Sequence, residues 1–321
     1  MEQTYKGIRV LVTGAGGFVG SRLTKALVEA GAEVSVSVRS KESAWRLQSV
    51  ISKIAVYEAN LLNPLEAIRV VTESRPVVVF NAASSTDTRR TFDILDSVIA
   101  GTYGVARAVL DACIKGDVQK FVHFGTIEEY GMGPELFSET AHEKPVSPYS
   151  LGKTMATHAV LFAGRLTPLE VCVLRPASIF GPGKDFALML IPNLIKAGIE
   201  GRDFNMNDGE QLRDFVYVDD VVEGALMAGI SEKVNGEIIN LGSGKRTKVR
   251  EVVEMVNFAM GNPIKINFGS EGYRPLDGDA CLNSDKAYEI LGWRASTELG
   301  VAIRETVTWY REHHKDFDVQ I

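Results

Sequence analysis

The stretch IRVLVTGAGGFVGSRL, residues 8–23, decides the fold of this chain. Residues 8–13 form an apolar run of strand length, and the residues that follow the glycines have the apolar spacing of an amphipathic helix. Between the two, Gly14, Gly17 and Gly20 permit a tight turn and a close approach of backbone N–H groups to a pyrophosphate. A glycine turn between a strand and a helix predicts a dinucleotide-binding βαβ unit.

The first half of the chain repeats this alternation of strand-like and helix-like segments. The predicted strands are Ile8–Thr13, Val34–Val38, Ala55–Glu58, Val77–Asn81, Lys120–Phe124 and Val171–Leu174, and the predicted helices are Gly20–Ala30, Asn63–Glu73, Asp93–Lys115 and Pro148–Leu166. Strands that are apolar on both faces and separated by helices form a parallel sheet covered on both sides. The sequence therefore predicts an α/β fold with a doubly wound parallel sheet of the Rossmann type.

After Arg175 the alternation becomes less regular, which predicts a smaller mixed α/β C-terminal lobe that binds the substrate. We expect a dinucleotide-binding domain over residues 1–174 plus about 215–240. The substrate lobe is expected over about 175–214 plus 241–321.

The composition narrows the class of protein. With 321 residues, 45% apolar and 24% charged, the chain is typical of a globular protein. The net charge of −6 and the absence of Lys/Arg clusters exclude a nucleic-acid binder. Three dispersed cysteines and five histidines without ligand spacing predict neither a disulfide framework nor a metal site.

The N-terminal sequence gives an expectation for location. Residues 1–9 are polar and lack the apolar core of a signal peptide, and no run approaches the roughly 20 apolar residues that cross a bilayer. We therefore expect a cytoplasmic protein that does not bind membranes.

The end of the second strand bears on the choice of dinucleotide. Proteins that prefer NAD often place an acidic residue there, to bind the ribose 2′-hydroxyl. This chain has Arg39 and Ser40 instead. A guanidinium and a hydroxyl suit a 2′-phosphate, which favours NADP(H) with NAD(H) as the alternative. A solvated surface arginine is the competing interpretation.

A tyrosine and a lysine four residues apart suggest the chemistry. On the predicted helix, Tyr149 and Lys153 share a face, so the ammonium is expected to lower the pKa of the phenol from about 10. The phenol then exchanges a proton with a substrate oxygen while a hydride moves to or from nicotinamide. Thr126, after the strand Lys120–Phe124, is expected to share that oxygen.

Glu128 follows two residues after Thr126. Its carboxylate is either a base toward an acidic carbon, a ligand of a sugar hydroxyl, or a structural loop residue.

Several motifs along almost the whole chain resemble the extended short-chain dehydrogenase/reductase family, which contains nucleotide-sugar epimerases, dehydratases and reductases. They are Gly14-x-x-Gly17-x-x-Gly20, Asn81-Ala82-Ala83, Thr126, Tyr149-x-x-x-Lys153, Leu174-Arg175-Pro176, Phe180-Gly181-Pro182-Gly183, the segment 209–215, Asn240-Leu241-Gly242-Ser243-Gly244 and Tyr273-Arg274-Pro275.

The resemblance implies a nucleotide-diphosphate sugar as substrate and assigns the remaining site residues. Cofactor contacts are implied for Gly14, Gly16, Gly17, Phe18, Val19, Gly20, Arg39, Ser40, Asn60, Leu61, Asn81, Ala82, Ala83, Tyr149, Lys153 and Pro176. Substrate contacts are implied for Ser85, Ser178, Arg213 and Arg274, the two arginines holding the diphosphate. Two positions depart from the family pattern, because Val98 and Ser178 stand where the family often has Asn.

Members of the family share one hydride geometry and differ in the reaction. Ile127 stands where glucose-type 4,6-dehydratases carry an acid, which disfavours dehydration. The string Glu128-Glu129-Tyr130-Gly131-Met132 is similar to GDP-4-keto-6-deoxymannose reductases. We rank 4-ketoreductase first, 4-epimerase second and dehydratase third. A regulator that senses NADP(H) without turnover is the non-enzyme alternative.

Family members commonly form homodimers through two helices, here Asp93–Lys115 and Pro148–Leu166. The apolar residues Val105, Ala108, Val109 and Ala112 are predicted to contribute to that contact, although they also suit packing on the sheet.

Overall fold

The structure is a computed structural model that describes residues 4–183 and 189–313. Its strands are β1 (Arg9–Thr13), β2 (Glu33–Val38), β3 (Ala55–Glu58), β4 (Val78–Asn81), β5 (Lys120–Phe124), β6 (Leu136–Phe137), β7 (Glu170–Pro176), β8 (Ser178–Phe180), β9 (Phe204–Met206), β10 (Leu212–Arg213), β11 (Phe215–Tyr217), β12 (Glu237–Leu241), β13 (Thr247–Lys248), β14 (Ile266–Phe268) and β15 (Cys281–Leu282).

The helices lie between these strands. They are α1 (Phe18–Glu29), α2 (Pro64–Ser74), α3 (Leu95–Ile99), α4 (Val105–Lys115), α5 (Pro148–Leu166), α6 (Leu190–Ile199), α7 (Val218–Ile230), α8 (Val249–Ala259), α9 (Asp285–Leu291) and α10 (Leu299–His313). A π-helical segment, Ala100–Gly104, joins α3 to α4, and a run of 3₁₀ turns, Glu42–Lys53, follows β2.

Seven strands form one parallel sheet in the order β12-β7-β5-β4-β1-β2-β3. Val12 of β1 is paired with Val36 on one side and with Phe80 on the other. The chain moves outward from β1 in one direction and then returns to its other side at β4, so a crevice opens at the carboxyl ends of these two strands. The predicted doubly wound α/β fold is confirmed.

Two hydrophobic clusters cover the faces of this sheet because successive strand residues point to opposite sides. Val10 and Val12 belong to the cluster under α1 and α7, whereas Leu11 belongs to the cluster under α2, α4 and α5. A third cluster lies apart, built mainly from α6, α8 and α10.

Four two-stranded sheets lie outside the main sheet and are built from residues after 177 and from the segment before α5. They pair β10 with β13, β11 with β8, β14 with β9, and β15 with β6. Several of these strands have only two or three residues. Such short strands carry no readable alternation, so the sequence did not indicate them.

The helical run Leu95–Lys115 bears on two of these expectations. It has no run of roughly 20 consecutive apolar residues, but by length and overall composition it could cross a membrane, as buried core helices also could, and 44% of its apolar window is buried inside the protein. Its residues Ala108, Val109 and Ala112 are at most 2% exposed and pack with α2 and the sheet. The stripe predicted for a dimer contact is therefore internal to the protomer.

Candidate active site

The glycine turn after β1 is held against the end of β4. Gly14 has a φ of +66°, and a side-chain carbon there would lie 2.6 Å from the backbone nitrogen of Ala83. At Gly20 a side-chain carbon would overlap the carbonyl oxygen of Gly14. Both positions therefore need glycine, one for its left-handed conformation and close approach, the other for packing of α1 on the turn.

The N-terminus of α1 is open to an anion. Gly17 is its N-cap and supplies no side chain, so none satisfies the first backbone N–H groups of the helix. Phe18 and Val19 occupy the first turn and are half-buried. A helix N-terminus of this kind, beside a close backbone turn, fits the pyrophosphate of a dinucleotide.

The 3₁₀ segment Glu42–Lys53 covers the glycine turn, a contact that the sequence did not predict. Arg46, in the 3₁₀ segment, donates one hydrogen bond to the carbonyl oxygen of Gly16 and one to that of Gly183, both at 2.9 Å. A side-chain carbon at Gly16 would overlap the carbonyl oxygen of Ser43 in the same segment. No motif marks Arg46, since the contact joins three distant parts of the chain.

The residues after β2 and β3 lie at the same end of the sheet. Arg39 is exposed, and no described residue pairs with its guanidinium. Ser40 is tied locally, because its carbonyl accepts a hydrogen bond from the Ser43 hydroxyl at 2.6 Å. Asn60 is exposed and accepts a hydrogen bond from a backbone N–H two residues on, whereas the side chain of Leu61 is buried at 7% exposure.

Asn81 and Pro176 end their strands inside the protein. The amide of Asn81 accepts a hydrogen bond from the Thr13 hydroxyl at 2.6 Å and contacts Nδ1 of His123 at 2.9 Å. Its side chain is therefore engaged with other strands, whereas Ala82 and Ala83, which follow it, are half-buried. Burial lowers the pKa of His123 well below 6.5, so its imidazole is neutral.

Helix α5 places the tyrosine and the lysine. It begins at a capping box formed by Ser147 and Ser150, with Pro148 in the first turn. The ammonium of Lys153 donates to the carbonyl oxygen of Phe124 at 2.6 Å and lies 5.7 Å from the ring centre of Tyr149. The pair is thus brought together at the carboxyl end of β5.

The electrostatics of this pair correct the sequence-based expectation. The pKa of Tyr149 is raised, not lowered. Burial of the phenol is the main cause and the charges of Glu128 and Glu129 add to it, whereas a hydrogen bond with Thr126 acts in the opposite direction. Burial lowers the pKa of Lys153 from 10.5 to about 8, although the negative charge of Glu129 acts in the opposite direction. At neutral pH the phenol is therefore protonated and the amine is charged.

Thr126 and Glu128 complete the edge of the site. Thr126 caps a short 3₁₀ turn, Ile127–Glu129, and its hydroxyl accepts a weak hydrogen bond from the Glu128 backbone at 3.4 Å. The Glu128 carboxylate accepts a hydrogen bond from the Ser147 hydroxyl at 3.3 Å. Glu128 is half-buried, and its charge helps to raise the pKa of Tyr149.

Beneath these residues lies a buried ion pair that sequence reasoning missed. The Glu129 carboxylate binds the guanidinium of Arg175 at 2.7 Å, the Thr157 hydroxyl at 2.8 Å and the Thr126 backbone N–H at 2.8 Å. The side chains of Glu129 and Arg175 are both 0% exposed. Removal of either partner would leave a buried charge, so the pair fixes the strand end that carries Thr126.

The four predicted substrate residues lie in four separate segments of the chain. Arg213 is buried and forms an ion pair with Asp277, and Arg274 is exposed, with its Nε atom 3.8 Å from the same carboxylate. Ser85 is half-buried, and its hydroxyl accepts a hydrogen bond from the Asp87 backbone at 3.3 Å. Ser178 starts the strand paired with β11, and its backbone donates to the Asp214 carbonyl at 2.9 Å.

Within residues 4–183 and 189–313, no group of three or more His, Cys, Asp or Glu residues is suited to hold a metal ion. The open helix N-terminus and the Tyr149/Lys153 pair together define the class, a dinucleotide-binding enzyme on a doubly wound sheet.

Comparison with known proteins assigns the family. The sequence profile of the NAD-dependent epimerase/dehydratase family matches residues 10–242. The chain is 29% identical to a UDP-N-acetyl-alpha-D-glucosaminuronate decarboxylase of Bacillus cytotoxicus, covering 96% of this chain and 99% of the relative. It is 30% identical to a UDP-glucose 4-epimerase of Mycolicibacterium smegmatis, covering 95% and 99%.

Solved structures agree with this assignment. The crystal structure of a UDP-glucose 4-epimerase from Thermotoga maritima, with UDP-glucose, superimposes with a TM-score of 0.88 at 26% identity, covering 95% of this chain and 99% of that one. The chain belongs to the NAD-dependent epimerase/dehydratase family, and its resemblance to the extended short-chain dehydrogenase/reductase enzymes is confirmed.

Proposed function

We propose that this enzyme reduces the 4-keto group of a nucleotide-diphosphate-linked 4-keto-6-deoxyhexose with NADPH. The observation that carries the proposal is the geometry at the end of β5, where the Lys153 ammonium lies 5.7 Å from the ring centre of Tyr149 and leaves the phenol to donate a proton. Reduction of a ketone needs this donor, and an epimerase needs it too when it returns the hydride, so the choice of a reductase rests on Arg39 and on the string Glu128-Glu129-Tyr130-Gly131-Met132.

Each residue of the site has one role in this reaction. The hydride for the fourth carbon would come from bound NADPH. The Tyr149 hydroxyl gives its proton to the oxygen of that carbon, and Thr126 holds the same oxygen. The ammonium of Lys153 stabilises the phenolate that remains. Glu128 binds a neighbouring sugar hydroxyl.

A dehydratase fits this site less well. Ile127 replaces the acid that glucose-type dehydratases use, and its side chain is buried, with 4% exposed. An aliphatic group cannot protonate a leaving hydroxyl.

The preference for NADPH is supported by Arg39. Its guanidinium is exposed at the end of β2 and pairs with no described residue, so both edges are available to a 2′-phosphate. The glycine turn, the N-terminus of α1, Ala82 and Ala83 are proposed to bind the rest of the dinucleotide. Asn60, Leu61, Asn81 and Pro176 contribute backbone atoms or packing.

A 4-epimerase is the second candidate. It is favoured by the names of the Mycolicibacterium smegmatis and Thermotoga maritima relatives, both UDP-glucose 4-epimerases. An epimerase returns the hydride to the same sugar, so it consumes no net NADPH.

The test mixes purified enzyme with NADPH and with UDP-, GDP-, dTDP- and CDP-linked 4-keto-6-deoxyhexoses, and follows absorbance at the nicotinamide band. Stoichiometric loss of NADPH is expected with one of them. Conversion of a saturated UDP-hexose with no net loss of NADPH would instead support the epimerase. Bound dinucleotide without turnover of any nucleotide sugar would support the regulator.

The role of Tyr149 is tested with Tyr149→Phe, which is expected to bind NADPH normally and to lose most of its turnover, roughly 100-fold or more. Tyr288→Phe, an exposed tyrosine on α9, is the matched control. An undiminished rate in Tyr149→Phe would remove the phenol from the mechanism.

We further propose the division into two lobes, residues 1–174 plus about 215–240 and residues about 175–214 plus 241–321. The separate hydrophobic cluster of α6, α8 and α10 supports it. Ser85, Ser178, Arg213 and Arg274 would then hold the nucleotide sugar between the lobes, and a cytoplasmic location stays a prediction.

We also propose a homodimer, formed through a face of α5 different from the buried stripe on α4. Four large apolar side chains on that helix are exposed: Leu151 at 37%, Met155 at 38%, Phe162 at 56% and Leu166 at 66%. Their spacing places them on one side of the helix. A contiguous apolar face of this kind is typical of a contact between subunits.

A further inference from the structure

A second arginine-rich feature lies in the segment between β4 and α3. Arg90 donates one hydrogen bond, from Nη1 to the carbonyl oxygen of Pro275 at 2.7 Å. Its other guanidinium atoms, Nε and Nη2, are buried and have no hydrogen-bond partner among the described residues. A buried donor without an acceptor costs free energy, so such atoms are expected to serve a ligand.

The surroundings of Arg90 favour a negatively charged ligand. Burial lowers the pKa of Arg90 most, and the charges of Arg274 and Arg213 lower it further, while Glu128 and Asp277 act in the opposite direction. Three guanidinium groups therefore face two carboxylates, and Asp277 is already paired with Arg213. The cluster has an excess of one positive charge.

The shape of the available edge indicates which anions fit. Nε and Nη2 form one edge of the planar guanidinium, and their N–H bonds point in nearly the same direction. Together they can donate two parallel hydrogen bonds. The two oxygens of a phosphate or of a carboxylate accept such a pair, whereas a hydroxyl or a carbonyl offers a single oxygen and cannot give each N–H its own acceptor.

We propose that the Nε/Nη2 edge of Arg90 binds an oxyanion of the substrate, as a third arginine beside Arg213 and Arg274. The inference rests on the proposed nucleotide-sugar function. The oxyanion has two sources in such a molecule, the diphosphate or a carboxylate on the sixth carbon of a uronate. Arg90 contacts the carbonyl oxygen of Pro275, the residue after Arg274, so its free edge belongs to the same cluster as that arginine.

The neighbouring arginine provides a matched control. Arg89 is 56% exposed and pairs with Asp87 at 2.6 Å, away from Arg213 and Arg274. Arg89→Gln removes the same charge from the same segment without touching the cluster. It is therefore expected to leave all affinities unchanged.

The experiment measures binding by titration calorimetry to protein saturated with NADPH. The probes share the nucleotide base that wild type binds best: a nucleoside monophosphate, the diphosphate, an NDP-hexose and the matching NDP-hexuronate. Arg90→Gln is expected to weaken binding of the probe that carries the recognised oxyanion by roughly 10- to 100-fold. Arg90→Lys, which keeps the charge and loses the paired donors, is expected to recover part of that loss.

The pattern of losses identifies the source. A loss for the diphosphate with none for the monophosphate assigns the edge to the diphosphate, and a loss confined to the hexuronate assigns it to the sugar carboxylate. Equal losses for all four probes assign the edge to the α-phosphate, and no loss with any probe, or a loss that Arg89→Gln reproduces, would overturn the proposal. If wild type binds none of the probes, the proposed function fails, and the role of Arg90 fails with it. An unchanged affinity for NADPH shows that each variant is folded.

Discussion

At the scale of single residues, the site depends on how closely atoms approach one another. Gly20 has no room for a side chain, because an added carbon would overlap the Gly14 carbonyl oxygen and lie 3.0 Å from the α-carbon of Ala15. These are backbone atoms, which cannot move aside without changing the turn. The same turn presents the N-terminus of α1 to the dinucleotide.

Gly20→Ala is therefore expected to lower the free energy of unfolding by about 1–3 kcal/mol and to weaken NADPH binding by at least roughly tenfold. Gly300→Ala on α10 is the control, since its nearest obstacle is the flexible Glu298 carboxylate at 3.1 Å. Urea unfolding and fluorescence titration with NADPH measure the two effects. Equal affinities in the two variants would show that the turn tolerates the added carbon.

Lys153 gives a prediction on pH. Its pKa is about 8 in the folded protein and 10.5 for an ordinary lysine. Between these values the unfolded chain binds one more proton than the folded chain, so the free energy of unfolding rises with pH in this window. Below about pH 8 the cost of the buried ammonium is present in full, and it disappears above the ordinary pKa.

Lys153→Met removes this titration. The difference in unfolding free energy, wild type minus Lys153→Met, is expected to rise from about pH 8 to about pH 10, and to be constant from about pH 6 to about pH 7. Urea unfolding at these pH values measures it, and the subtraction removes the titration of other groups. A constant difference over the whole range would contradict the lowered pKa.

At the scale of elements, two helices begin with the same pattern, a capping side chain followed by proline. The Asn63 amide oxygen accepts from the Leu65 backbone at 3.1 Å at the start of α2, and the Ser147 hydroxyl accepts from the Ser150 backbone at 3.0 Å at the start of α5. Only α5 carries residues of the site. Ser147 also donates to Glu128, which joins the cap to the cleft.

Asn63→Ala and Ser147→Ala are each expected to cost about 1 kcal/mol of stability, the usual contribution of an N-cap. Ser147→Ala is also expected to reduce turnover several-fold, because it loosens the first turn that holds Tyr149. Thermal unfolding and steady-state kinetics separate the two effects. If both variants lose turnover equally, the loss reflects stability alone and the link from cap to site is wrong.

At the scale of the whole molecule, the open question is what covers the exposed face of α5. Phe162→Asp places a charge in the middle of the proposed contact and is expected to convert a dimer to a monomer, with turnover per subunit largely retained. Phe258→Asp on α8, where the phenylalanine is 75% exposed, is the control. Light scattering after size exclusion measures the mass, and a monomeric wild type would refute the dimer.

The sequence alone determined the class of fold. Apolar runs of strand length, helical spacing between them and the glycine turn at residues 14–20 are local properties, readable because neighbours along the chain set the type of each element. The same reasoning placed Tyr149 and Lys153 on one helix, because residues four apart share a face. It predicted the wrong direction for the pKa of the phenol, and it did not show which apolar side chains remain exposed.

Those features were decided by the tertiary structure. Arg175 meets Glu129 across 46 residues, and Arg90 meets Pro275 across 185. Arg46 reaches both the glycine turn and Gly183. Spacing along the chain carries no information about such pairs, since they exist only where folding brings distant loops to one edge of the sheet. Burial and charge at that edge, which set the pKa values, come from the same long-range packing.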